Sequence, residues 1–245
     1  MTVIDTITAT PWLFGLVALL LGLVVGSFLN VVIHRLPIML ERSWHRECEE
    51  FLNGGTMPPV KESMQSDPSK QPSPYNLLVP RSCCPHCGHQ ISAIENIPLL
   101  SWLFLRGRCA SCGSRISIQY PLVELFTGLL TLAAAMAFGD DWQTIFAWGL
   151  IWVLIAAAVI DLKTTLLPDV LTLPLMWAGI LIAWLGIGTN VSLEDAVMGA
   201  IAGYLVLWTL YWVFKLLTGK EGMGFGDFKL LAAIGAWVGW QLLPA

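Results

Sequence analysis

Charge is what this sequence has least of. Of its 245 residues only 12% are Asp, Glu, Lys or Arg, against about 25% in an ordinary soluble domain. Hydrophobic residues make up 56%, and they gather into long uncharged runs. A helix that crosses a bilayer takes about 20 mostly apolar residues. By that measure the candidate spans are 12–33, 122–138, 142–160, 170–187, 196–214 and a shorter sixth at 230–243. The run 142–160 carries no charge, and a helix with no wet face has no place on the surface of a soluble protein. No Lys or Arg precedes the first run, and that run exceeds the apolar stretch of a secretory signal. It reads as a span rather than a cleaved signal.

One side of the membrane lacks basic residues. Nine of the thirteen Lys and Arg lie between Arg35 and Arg115, and the others are Lys163, Lys215, Lys220 and Lys229. Threading the chain through six spans puts all thirteen on one face. Asp5, Asp140, Asp141, Glu194 and Asp195 fall on the other. The short loops around Lys163 and Lys215–Lys229 obey the positive-inside rule independently of the long polar segment. The basic face is therefore expected in the cytoplasm and the N-terminus outside. The net charge of −4 is uninformative about partners, and no nucleic acid is expected among them.

There is no internal repeat. Residues 1–34 form a first transmembrane helix ending near His34-Arg35-Leu36-Pro37. Residues 35–120 form a cytoplasmic insert, and 121–245 a run of closely spaced helices. Within the insert, 38–52 reads as a short helix stopped at Gly54-Gly55. The stretch 61–75 is polar, rich in Pro and Ser, and reads as a flexible loop. Residues 80–118, dense in Cys, Gly and Arg, read as a compact knuckle.

The knuckle holds Cys84-Pro-His-Cys87-Gly and Cys109-Ala-Ser-Cys112-Gly. Each CxxC turn brings two thiolates together, and four thiolates make a closed, structural zinc site with no open position for substrate. Two disulfides or free thiols are the alternatives. A reducing cytoplasm disfavours the first, and a redox CxxC would be single, on a thioredoxin-like unit that is missing here. A segment this small would draw much of its folding free energy from the metal. Cys48 and Cys83 are left over, and His86 and His89 stand beside the site. The expected fold class is an all-α polytopic membrane helix bundle with a small zinc-knuckle cytoplasmic insert.

Two carboxylates stand at the membrane boundary. Asp161 ends the uncharged run 142–160, and Asp227 sits in Gly222-Met-Gly-Phe-Gly226-Asp227 before the last one. Ionisable groups at membrane depth are functional candidates, and the threading puts both on the cytoplasmic face. Taken singly, each has a plainer reading: Asp227 as a helix N-cap, Asp161 as a boundary charge balanced by Lys163. Asp169, after Pro168, is the better N-cap candidate and is left out of the pair. The glycines before Asp227 favour a mobile backbone open to close approach. They are not a dinucleotide fingerprint, since no strand precedes them. Two adjacent carboxylates share one proton, which supplies a base to activate water and an acid for the leaving amine. Helix dipoles cast Asp227 as the base and Asp161 as the acid.

Taken together these residues resemble the type IV prepilin peptidases, membrane aspartyl proteases of the GxGD type. The matching pieces are Gly26-Ser-Phe-Leu-Asn30 through Arg35-Leu-Pro37, the two CxxC knuckles, and Tyr120-Pro-Leu-Val-Glu124. Ile160-Asp161 through Leu167-Pro168-Asp169 and Gly224-Phe-Gly226-Asp227 complete the set. They occur in order over nearly the whole chain. The resemblance implies that Asp161 and Asp227 are the catalytic pair and that 121–245 is the protease core. Substrates would be type IV prepilins and type II secretion pseudopilins, cut after a Gly in the bacterial inner membrane. The cysteine-bearing insert looks like that of the bifunctional type, which N-methylates the new terminus with S-adenosylmethionine. Glu124 would be either a helix-start carboxylate or a group in methyl transfer or substrate contact. Family members continue with further hydrophobic segments, so a shortened C-terminus is expected. The rival readings are a non-catalytic membrane assembly or docking protein and a transporter. A transporter would carry its acids near the midplane on broken helices.

Overall fold

The computed structural model describes residues 10–52 and 75–244, and every regular element among them is helical. In chain order these are α1 (Pro11–Leu52), α2 (Leu100–Phe104), α3 (Gln119–Phe138), α4 (Trp142–Thr164), α5 (Asp169–Leu185), α6 (Leu193–Thr218) and α7 (Phe225–Val238), followed by a 3-10 turn at Trp240–Leu242. Helices α1, α3, α4 and α6 are long and apolar enough to cross a membrane, and α5 is apolar but shorter. The expected span 230–243 is displaced: α7 begins at Phe225 and ends at Val238, where Gly239 leaves the helix at φ +77°. The expected stop at Gly54-Gly55 and residues 61–74 of the polar loop lie outside the described residues.

The stretches 12–33 and 38–52, expected as separate helices, are one helix that runs through Pro37. A proline removes one backbone bond, here to the Ile33 carbonyl, and nearby anchoring offsets that loss. Arg35 is buried in α1 and donates to the carbonyls of Asn76 (2.8 Å) and Pro80 (2.6 Å). Arg42 and Arg35 also stack over the Tyr75 ring, at 4.4 and 5.7 Å from its centre. At about 1.5 Å per residue α1 is roughly 63 Å long, twice the hydrocarbon thickness of about 30 Å. Its last turns stand clear of the bilayer and carry the start of the insert.

Small residues set the helix packing. A Cβ added at Gly22 would lie 2.7 Å from Thr131 Cβ, and one at Gly26 would lie 2.7 Å from Glu124 Cα. As α1 advances its contacts on α3 recede, so the two run antiparallel with backbones nearly touching. Helices α6 and α7 repeat the device: Gly199 meets the Gly235 carbonyl, and Gly203 meets the Leu231 carbonyl. Close approach of this kind is how helices associate in lipid, where apolar burial gives no net drive. Trp side chains add hydrogen bonds between helices. Trp148 and Trp152 donate to the Thr131 carbonyl and hydroxyl (2.9 and 3.0 Å), and Trp237 donates to the Leu175 carbonyl (2.8 Å).

Two packed groups result, α1/α3/α4 and α5/α6/α7, which meet along α4 and α5. The outward faces are greasy. Leu16, Leu20, Val24 and Phe28, one turn apart on α1, are all exposed. Such a stripe belongs in hydrocarbon rather than water, so the chain is a multi-pass membrane protein. Alternation of the helices gathers the start of α3, the end of α4, and the starts of α5 and α7 at the knuckle end.

Replacing Gly199 by Val is expected to destabilise the bundle by about 1–3 kcal/mol, because its side chain meets backbone that cannot swing away. Thermal unfolding in detergent would register this as a lower midpoint. Gly149→Ala, with nothing within 4 Å of the new carbon, should leave the midpoint unchanged or slightly raised.

Candidate functional sites

The two CxxC turns are built alike. Gly88 N–H donates to the Cys84 carbonyl and Cys84 N–H to that of His89, both at 2.9 Å. In the second turn Gly113 N–H donates to Cys109 (3.0 Å) and Cys109 N–H to Ser114 (2.8 Å). Gly88 and Gly113 take φ of +72° and +70°, a conformation side chains rarely adopt. One antiparallel bridge closes each turn, Cys83 with Gln90 and Arg108 with Arg115.

The Sγ atoms of Cys84, Cys87, Cys109 and Cys112 all lie within 4.8 Å of one another. Cys84–Cys112 are 3.9 Å apart and Cys87–Cys109 4.0 Å, and all four are free thiols. Thiolates about 2.3 Å from a tetrahedral metal stand about 3.8 Å from each other, so the cluster fits a metal ion with little adjustment. Backbone N–H groups of His86 and Cys87 hold the Cys84 thiol down to about 6, and the Ser114 hydroxyl lowers that of Cys112. Both shifts favour the thiolate, the form a metal binds, whereas, against the His89 backbone N–H, burial and the neighbouring cysteines push the Cys87 thiol up to about 11. Cys48 and Cys83 stand outside the cluster. His89 is engaged by Glu95 at 3.2 Å.

Asp161 begins the last turn of α4 and Asp227 is the third residue of α7, each half-buried. Neither does the plainer work the sequence allowed. The N-cap of α7 is Gly224, with no side-chain cap bond, and Lys163 makes no ion pair with Asp161. Among the described residues no hydrogen bond or ion pair engages either carboxylate, and they do not bond each other. At the opposite end of the bundle Asp141 accepts from Trp142 N–H at 2.6 Å, and Asp195 takes Ser192, Trp240 and Gln241. Asp169 is not the N-cap expected of it. The extended Pro168 holds that place, and both Asp169 oxygens accept from Lys229, at 2.8 and 2.7 Å.

Two contacts join the chain after Asp161 to the turn bearing Asp227. One is the Asp169–Lys229 pair between α5 and α7. The other is Gly226, where an added Cβ would lie 2.7 Å from Leu167 Cβ. Of the glycines before Asp227, Gly222 and Gly226 make the close approach expected of them. Gly226 lies within the first turn of α7, and Gly222 packs under the Phe214 ring, 2.8 Å from its would-be Cβ. Gly224 leaves open space, with Asp227 Oδ2 the nearest atom at 3.8 Å.

A third polar group sits between α1 and α3. Glu124 is 8% exposed and Asn30 5%. Glu124 Oε2 accepts from Leu99 N–H at 2.8 Å. Asn30 Nδ2 donates to the Tyr120 carbonyl at 3.0 Å, and Asn30 Oδ1 has no partner. Sequence reasoning named Glu124 but missed the roles of Ser27, Asn30, Leu99 and Lys229. Their partners are far away in the chain, and no local pattern announces them.

Comparison with known proteins covers both packed groups. The family described as "Bacterial Peptidase A24 N-terminal domain" matches residues 20–138, and "Type IV leader peptidase family" matches 148–245. The chain is similar to the prepilin leader peptidase/N-methyltransferase of Aeromonas hydrophila, 60% identical over 96% of this chain and 76% of the relative. The proteins of the same name from Stutzerimonas stutzeri and Pseudomonas aeruginosa are 53% and 50% identical. Each covers 100% of this chain, with 80% and 79% of the relative matched. No solved structure matches the chain.

The sulfur geometry predicts one divalent metal ion per chain, read by elemental mass spectrometry on the purified protein. Cys84→Ser or Cys112→Ser should remove most of it. Cys48→Ser and Cys83→Ser should keep it, and equal metal content in all four variants would contradict the assignment.

Proposed function

Because this chain belongs to the type IV leader peptidase family, we propose that it cleaves the leader from type IV prepilins and methylates the new N-terminus, with Asp161 and Asp227 as its catalytic carboxylates. The observation that carries the pair is their freedom. At the knuckle end Asp169 is engaged by Lys229, as Asp141 and Asp195 are engaged at the opposite end, and these two half-buried acids are not. Unengaged carboxylates beside a membrane are costly unless they do chemistry.

The chemistry follows from sharing one proton. As substrate closes the site, like charge keeps the second carboxyl protonated. The ionised member draws a proton from water as it attacks the scissile carbonyl, and the protonated member gives its proton to the departing amine. Asp227, in the first turn of α7, has the helix dipole favouring its anion, and Asp161, at the end of α4, has it opposed. Asp227 is the starting base on this reading. Gly224 leaves room beside Asp227 for an extended peptide backbone, and the Asp169–Lys229 pair and the Gly226–Leu167 contact fix where that space lies.

Substrates include pseudopilins of type II secretion as well as prepilins. Methyl transfer draws on S-adenosylmethionine as co-substrate. Cys84, Cys87, Cys109 and Cys112 would hold zinc, whose four-thiolate shell leaves no position for substrate, so its contribution is to fold the knuckle. The protein lies in the inner membrane with the knuckle, the catalytic end and all Lys and Arg in the cytoplasm. The placement of the short basic loops supports that orientation.

Full-length protein incubated with a prepilin and S-adenosylmethionine, with products read by mass spectrometry, tests the pair. Asp161→Asn and Asp227→Asn are each expected to slow cleavage at least about a hundredfold; normal cleavage by either would refute the dyad. Gly226→Ala should also slow cleavage, by pushing α7 off Leu167. Combining it with Leu167→Gly, which removes the opposing carbon, should restore much of the rate.

A further inference from the structure

Glu124 is more deeply buried than either catalytic candidate, and the peptidase chemistry makes no use of it. Its carboxylate takes the Leu99 N–H, Ser27 follows Gly26, whose added Cβ would lie 2.7 Å from Glu124 Cα, and among the described residues no Lys, Arg or His forms an ion pair with Glu124. The Asn30 amide is fastened through Nδ2 to the Tyr120 carbonyl, one turn before Glu124 on α3, and its buried Oδ1 has no donor. Ser27 Oγ reaches only the Asn96 side chain, at 3.5 Å, and its lone pairs are free. Among these side chains acceptors outnumber donors, and the buried carboxylate has no ion-pair partner among the described residues. Buried charge is normally paired.

Strain marks the same spot. Leu99, a branched residue, is held at φ +59°, ψ −47°, where L side chains pay about 1–3 kcal/mol. That conformation presents its N–H to Glu124.

We propose that Ser27, Asn30 and Glu124 form a binding site for a primary ammonium group, the one freed when the leader is cut. An ammonium offers three N–H donors and no acceptor, which complements the free oxygen of Glu124, Asn30 Oδ1 and Ser27 Oγ. A guanidinium is broad, flat and forked, and suits three oxygens drawn from two closely packed helices less well. The position suits the new terminus. Val123, next to Glu124, and Ile160, next to Asp161, belong to one buried cluster with Leu29, Val32, Ile33 and Leu36. The neighbours of Glu124 and Asp161 thus share one apolar cluster at the knuckle end.

The inference rests on the proposed cleavage and methylation. In that reaction the bound ammonium passes one proton to Glu124. The amine lone pair then forms the N–C bond to the donor's methyl carbon as the C–S bond breaks and its electron pair returns to sulfur. The methylated ammonium leaves the site.

The test measures binding of a product peptide with a free α-ammonium, and of the same peptide N-acetylated, to the full-length protein in detergent. Wild type is expected to prefer the free ammonium at least tenfold, and Glu124→Gln and Asn30→Leu to lose that preference. Equal affinity for the two peptides in wild type overturns the proposal without recourse to any variant, as does a tenfold preference kept by Glu124→Gln. Failure of wild type to cut a prepilin is a separate result, and it removes the functional reading instead.

Discussion

Helices in hydrocarbon gain nothing by covering one another's apolar side chains, because lipid covers them as well. What holds this bundle is backbone approach at small residues. Gly22 and Gly26 let α1 lie against Thr131 and Glu124 of α3, and Gly199 and Gly203 let α6 lie against the carbonyls of Gly235 and Leu231. The functional geometry inherits this constraint. Gly226 is the same device turned to a local purpose, seating the first turn of α7 on Leu167 beside Asp227. Gly26 does likewise for Glu124.

The second constraint is that polar groups in such a bundle must find partners. Most do so within it: Thr127 and Thr131 bond back along α3, Trp148 and Trp152 reach Thr131, and Asp169 meets Lys229. Among the described residues Asp161 and Asp227 stand free at the knuckle end, and the buried side-chain atoms without a partner are Asn30 Oδ1, Trp102 Nε1 and Thr172 Oγ1. In a membrane protein, an unmet polar demand is a sharper guide to function than any cavity.

The knuckle is tied to this end of the bundle at its entry and at its middle. Arg35 binds the chain entering it at Asn76 and Pro80, and Leu99 N–H binds Glu124 from its middle. The cysteine cluster bears on the polar site, since folding the knuckle sets where Leu99 can stand.

The sequence by itself determined the helical membrane class, the four converging cysteines and the two candidate aspartates. Each rests on a local signal: runs without charge, a CxxC turn with its glycine, an acid at the end of an apolar run. It misread the break at Pro37, where Arg35 finds partners some forty residues away and the helix continues. It misplaced Asp169 as a cap, since its partner Lys229 lies across the bundle on α7. The close approach it read into the glycines before Asp227 falls at Gly222 and Gly226, whose partners Phe214 and Leu167 only the packing names. The tertiary structure alone decided which acids are engaged and which are free, because hydrogen-bond partners drawn from distant helices leave no periodicity or spacing in the chain.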